Sequence, residues 1–158
     1  MRILPLLLCC FAAACAAPRD QQNMHEPSSG FDPALAQKLG ADERGMRPYV
    51  LVILKTGVRA DFTEAQRTEL FHGHIANIKR LSKEGRLAAA GPFEPNDRQY
   101  RGVFILTVET VEEASKIAAS DPAVAAGVFA YEAFPWYGPA GLMELPSLQR
   151  RLEKPPAP

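Results

Sequence analysis

Beyond residue 15 the sequence contains no cysteine: all three, Cys9, Cys10 and Cys15, fall at the extreme N-terminus of a 158-residue chain. Downstream of that point disulfides, thiol nucleophiles and thiolate metal sites are excluded. A charge excess is absent too. Lys+Arg and Asp+Glu both number 18, for a formal charge of zero, and no clustered basic surplus marks a nucleic-acid partner. There is no GxGxxG, no P-loop and no HExxH, so no nucleotide, flavin or other cofactor is expected. Nor is there an apolar run of the ~20 residues that a bilayer span requires. What is present, 47% apolar and 23% charged residues, is the composition of an ordinary globular domain long enough to bury a core.

The opening stretch MRILPLLLCCFAAACAAP carries Arg2 and then an apolar run from Ile3 to Ala14, the pattern of a secretory signal. Ala12-Ala13-Ala14-Cys15 resembles a bacterial lipoprotein cleavage box, although Ala12 stands where leucine is more usual. On that reading Cys15 becomes the lipidated first residue, and its acyl chains are the protein's sole membrane attachment, since stable anchoring takes more than one chain. The alternative is ordinary cleavage after Ala16, with Ala14 and Ala16 forming the A-x-A pattern. The protein is therefore expected on the periplasmic face of a bacterial membrane as a lipoprotein, or free in the periplasm. Residues 16–47 read as a polar tether, AAPRDQQNMHEPSSG, followed by a short helix in FDPALAQKLG with Asp32 as N-cap, Pro33 in the first turn and Gly40 at the end.

From about 48 to 138 the apolar pattern alternates between strand and helix. YVLVILKTG (49–57) suggests a strand buried on both faces. Thr63 and Gln66 form a capping box that opens a helix running to about Glu84, where Gly85 stops it. RLAAAGPF (86–93) and GVFILTVE (102–109) read as strands around a polar loop. Thr110 and Glu113 suggest a second capping box, for a helix to about Ser120, and a last strand falls in 127–138. Residues 139–158 form a tail with room for a helical turn. The order β-α-β-β-α-β is the split βαβ, ferredoxin-like α+β arrangement. Two helices cover one face of a four-stranded sheet, yet the first and third strands are apolar on both sides. A homodimer, sheet against sheet, is the simplest cover; the head helix or the tail is the other candidate.

The most suggestive chemistry lies in LFHGHIANIKRL (70–81). On a helix His72 and His74 point about 200° apart, so they do not share a metal as an i, i+3 or i, i+4 pair would. His74 shares the face of Phe71 and Ile78, while His72 lies with Glu69 and Lys79. Spacing alone favours a packed core histidine at 74. Asp121 likewise has a structural explanation, as N-cap of a turn in PAVAA closed by Gly127. The functional alternative is that Asp121 reaches His74, fixes its tautomer and leaves the other ring nitrogen as a base.

The stretch from His74 through Gly85 to Gly91-Pro92, then Val111-Glu-Glu-Ala, Asp121-Pro122 to Gly127, and Pro135-Trp136 resemble the YciI-like (YCII-related) domain family over about 48–138. The head and tail resemble a subgroup with extended ends. The resemblance implies a ferredoxin-like dimeric α/β barrel with an active site of a helix histidine and the Asp of the Asp-Pro pair, here His74 and Asp121. It also implies a small-molecule acid–base reaction of lyase or isomerase type, since a relative is a dehydrochlorinase of chlorinated hydroxyquinols and fold cousins include muconolactone isomerases. The export signal departs from typical members and puts a cytoplasmic role in doubt. Gly91, Pro92, Arg98 and Arg101 are candidate pocket residues; each is equally explained as turn or solvated loop. Tyr131 and Trp136 are candidates for a cavity wall or a dimer interface. The reading that competes with an enzyme is a non-catalytic, envelope-tethered dimer that binds a small ligand or a partner.

Overall fold

The computed structural model describes residues 30–154; the signal, the cleavage box with Cys15 and most of the tether lie outside them. Helix α1 (Pro33–Leu39) is capped as the sequence predicts, with the Asp32 carboxylate accepting from the Leu35 amide at 3.0 Å and Gly40 in the left-handed region. Strand β1 (Met46–Thr56) follows, then α2 (Glu64–Lys83), β2 (Leu87–Pro92), β3 (Tyr100–Leu106), α3 (Val111–Ala119), α4 (Pro122–Ala125) and β4 (Phe129–Pro139). A 3-10 segment (Ala140–Glu144) leads into α5 (Leu145–Leu152). The sheet order is β2-β3-β1-β4, all antiparallel, with β1 central against β3 and β4. This is the ferredoxin-like α+β fold, seen here as an open four-stranded sheet.

The strand boundaries differ from the sequence reading at both ends. β1 begins at Met46 and so includes Pro48. Pairing with β3 starts only at Val50, which leaves one side of Pro48 without a strand neighbour and makes its missing N–H tolerable. β3 stops at Leu106 rather than 109, because Thr107 turns away: its amide donates to Arg86 O at 3.1 Å and its hydroxyl to Gly85 O at 2.7 Å. The Thr63–Gln66 capping box is complete. The second box is only half formed. Thr110 caps the Glu113 amide at 3.2 Å, but the Glu113 carboxylate accepts from Arg86 at 2.7 Å instead of returning to the cap; a charged donor outcompetes a neutral amide.

The core lies between the sheet and the helices. Val50, Val52 and Leu54 of β1 alternate inward against Phe104 and Leu106 of β3 and meet Leu81 of α2 and Ala114, Ile117 and Ala118 of α3. The other side of β1 and β3 is the face expected to need a cover from a second copy, the head helix or the tail. Leu51, Ile53, Val103 and Ile105 point there and are only half-buried, and Phe134, opposite Leu51 on β4, is 45% exposed. The tail meets the sheet at β1 and β2 through the 3-10 segment and at β2 through α5. At the far end of β1 the chain must pass very close to the α4–β4 junction. The Gly57 amide donates to Val128 O at 2.8 Å, and a Cβ on Gly57 would stand 2.1 Å from Gly127 O, so only glycine fits there.

Candidate functional site

One stripe of α2 faces inward and holds His74, Asn77 and Leu81, all buried. The apolar period that puts Leu81 in the core carries His74 with it, about two turns toward the helix N-terminus. Opposite stands the α3–α4 junction. Ser120 ends α3, and Pro122 opens α4. Between them Asp121 takes an extended backbone and is 0% exposed.

His74 Nδ1 lies 2.9 Å from Asp121 Oδ2. The two readings of Asp121, helix cap and histidine partner, are therefore not alternatives, because each carboxylate oxygen serves one of them. Oδ1 accepts from the Ala123 amide at 3.0 Å and from the Val124 amide at 3.4 Å. Oδ2 accepts from Asn77 Nδ2 at 2.8 Å and faces His74. Burial pushes the Asp121 pKa up, but hydrogen bonds from His74 and Asn77, the attraction of the imidazole and the Ala123 amide together outweigh it and hold the group below its ordinary value. An ionised carboxylate only accepts, so Nδ1 of His74 carries the proton.

The rest of the imidazole sits among aromatic rings. Phe104 stacks at 5.8 Å between centroids, Phe129 meets it edge-on at 5.3 Å, and Phe71 lies tilted at 6.0 Å. Phe71 is 54% exposed and stands on the solvent side of this box. Nε2 makes no hydrogen bond among the described residues, yet it is not among the polar atoms sealed from solvent. The arrangement is an imidazole pinned at one nitrogen, with no partner for the other among the described residues, the requirement for a general base.

The remaining candidates fall elsewhere. His72 is exposed and makes no bond to the pair. Gly91 and Pro92 close β2, and Pro92 pairs with Gly102, one step along the inner face from Phe104. Arg98 and Arg101 are exposed and make no side-chain hydrogen bond or ion pair among the described residues. They share the end of the sheet where β1 closes and β4 opens, through the bond from the Thr56 amide to Gln99 O at 3.0 Å, but nothing joins them to His74. Tyr131 faces the core, its hydroxyl donating to Ser115 O at 3.4 Å. Trp136 packs on Tyr49 at 5.6 Å, on the opposite side of the sheet from His74. A cavity of about 870 Å³ lies between α2, β2 and α5 and touches neither member of the pair. Sequence reasoning missed Asn77; its signal was the three-residue step from His74. It also missed the aromatic box, in which Phe104 and Phe129 come from strands distant in sequence.

Comparison with known proteins places these elements in context. The model of the YCII-related domain family matches residues 49–137. Among solved structures, 5-chloro-2-hydroxyhydroquinone dehydrochlorinase from Burkholderia phenoliruptrix AC1100, in complex with 2,5-dihydroxybenzoquinone, is similar at 20% sequence identity, covering 55% of this chain and 92% of that one with a TM-score of 0.39. No curated protein matches the sequence.

Proposed function

The chain belongs to the YCII-related domain family, and on that footing we propose that it is a small-molecule acid–base enzyme of lyase or isomerase type in which His74 is the base and Asp121 its partner. The observation that carries this is the pairing itself: Nδ1 on a buried carboxylate at 2.9 Å, with Nε2 unpartnered among the described residues. In the reaction Nε2 takes a proton from an acidic carbon of an enolisable substrate. The imidazolium so formed lies against the Asp121 carboxylate, which offsets the new charge. Isomerisation returns that proton to a different carbon. Elimination instead expels a leaving group as its anion. Phe71, 54% exposed beside the imidazole, offers a flat, unsaturated substrate a ring to lie against.

Wash-in of deuterium from D₂O into a panel of small enolisable acids and phenols tests this. The wild-type chain should catalyse exchange at an acidic C–H, and His74→Leu should abolish it. Exchange that survives in His74→Leu would refute the assignment.

The half-buried apolar sheet face supports a homodimer built sheet against sheet. The lipoprotein reading adds an acylated Cys15 and a periplasmic location; incorporation of labelled palmitate that persists in Cys15→Ala would overturn it. A second reading, a non-catalytic envelope-tethered dimer that binds a small ligand or a partner, draws on the two capping bonds to Oδ1, which give Asp121 a structural task without any chemistry.

A further inference from the structure

His74 and Asp121 do not stand alone. Asn77, 8% exposed, donates from Nδ2 to Asp121 Oδ2 at 2.8 Å. Its carbonyl Oδ1 accepts from Arg80 Nη2 at 2.8 Å, and Arg80 Nη1 lies 2.9 Å from each carboxylate oxygen of Glu84. A guanidinium only donates and an ionised carboxylate only accepts. One of the two amide orientations of Asn77 satisfies both neighbours, and the other satisfies neither. His74, Asn77, Arg80 and the C-cap Glu84 follow at steps of three, three and four along α2 to its end, a single stripe that runs from the buried pair to solvent.

We propose that Asn77 is a positioning residue for the His74–Asp121 pair, with Arg80 holding its amide in the one productive orientation. The proposal rests on the reading of that pair as a base and its partner. The argument is an inventory of acceptor sites. Each oxygen of Asp121 has two donors: Ala123 and Val124 amides on Oδ1, His74 and Asn77 on Oδ2. With two donors on Oδ2 the carboxylate has no second lone pair to offer His74 and no freedom to turn about its Cβ–Cγ bond. The imidazole therefore meets one oxygen in one ring orientation, which keeps Nε2 aimed away from Asp121. Without Asn77 a lone pair of a buried anion goes unmatched, Oδ2 no longer divides its charge between two donors, and only the α4 amides resist rotation. Arg80 acts one step further out. Its side chain is 51% exposed, so it adjusts the pair from the surface without filling core space.

The test compares Asn77→Leu, which keeps the volume and removes the donor, with Arg80→Ala and with His74→Leu. Two signals are read by NMR: the proton on His74 Nδ1 at neutral pH, and the pH midpoint of the Asp121 carboxyl carbon. In Asn77→Leu the Nδ1 proton should move downfield, because Oδ2 now serves one donor, and the Asp121 midpoint should rise. Arg80→Ala should shift both the same way by less. His74→Leu should also raise the Asp121 midpoint. If His74→Leu does so while the other two variants leave both signals in place, Asn77 only fills space and the proposal is overturned with the pair intact. If His74→Leu leaves the midpoint unmoved, the pair itself falls. Should Asn77→Leu fail to fold, Arg80→Ala decides alone, and an unmoved Nδ1 proton there refutes the positioning role.

Discussion

Replacing Asp121 by asparagine changes one atom and one charge at a position with 0% exposure. The amide has one oxygen, and the α4 amides at 3.0 and 3.4 Å claim it, because a helix N-terminus rejects a donor. The side-chain NH₂ then faces Nδ2 of Asn77 and Nδ1–H of His74, both donors. Two hydrogen bonds to an ionised acceptor, each contributing roughly 1.5–3 kcal/mol, are lost. His74 can recover one neutral bond, about 0.5–1.5 kcal/mol, by moving its proton to Nε2 so that Nδ1 accepts from the new amide. The net loss is about 2–5 kcal/mol, close to the roughly 3–5 kcal/mol typical of stripping one member from a buried pair, and within the ~5–15 kcal/mol stability of ordinary domains. The variant should therefore fold. Urea unfolding at neutral pH measures the loss, and long-range ¹H–¹⁵N spectra of the histidine rings read the tautomer, with exposed His72 as internal control. The expected result is a switch of His74 from Nδ1–H to Nε2–H, which removes the free base without removing the imidazole. A loss under about 1 kcal/mol, or an unchanged His74 tautomer, would refute the reasoning.

Acid should erase the difference between wild type and Asp121→Asn. The Asp121 pKa is held below its ordinary 3.8 in the folded chain, so its stabilisation is complete above that value and fades as the pH falls through the lower folded value; urea curves at stepped pH should converge only below 3.8. Phe104→Ala removes a 2%-exposed ring that also stacks on His74, and a loss of about 3–5 kcal/mol is expected in thermal or urea unfolding, with a loss below 1 arguing against the packing described. Gly57→Ala drives a methyl into Gly127 O; it should lower the melting temperature and disturb the amide signals of 127–129, and a neutral result would mean the close approach is not real. Phe134→Glu, on the open sheet face, should halve the mass seen by sedimentation if that face is the dimer contact, whereas an unchanged mass sends the contact elsewhere.

Most of the fold can be read from the sequence because local signals and tertiary demands agree. The Thr63 capping box, the Gly85 stop and the apolar run of β1 each point one way, and β-α-β-β-α-β has few compact solutions. Disagreements arise where a long-range partner outcompetes a local one. Glu113 leaves its cap for Arg86, 27 residues away. Thr107 leaves the strand for the turn after α2, through Gly85 and Arg86. No window of sequence contains either competitor, so no reading of local pattern could have set them against the cap or the strand.

The candidate site divides along the same line. Periodicity places His74 on the inner stripe of α2 and an Asp-Pro pair at the head of α4, and both positions follow from the chain itself. Their separation of 47 residues is closed only by how α2 packs on α4, which is a property of the core and not of either segment. The aromatic box is hidden for the same reason, since Phe104 and Phe129 look like strand residues and become neighbours of an imidazole only once the sheet is ordered. The choice between cap and partner for Asp121 was hard to make from sequence because it was no choice. A carboxylate has two oxygens, and here one fixes the helix that carries it while the other holds the histidine. The capping bonds thus make Asp121 a better partner: an aspartate whose Oδ1 is tied to α4 presents Oδ2 in one direction, and burying it costs less because four donors share its charge.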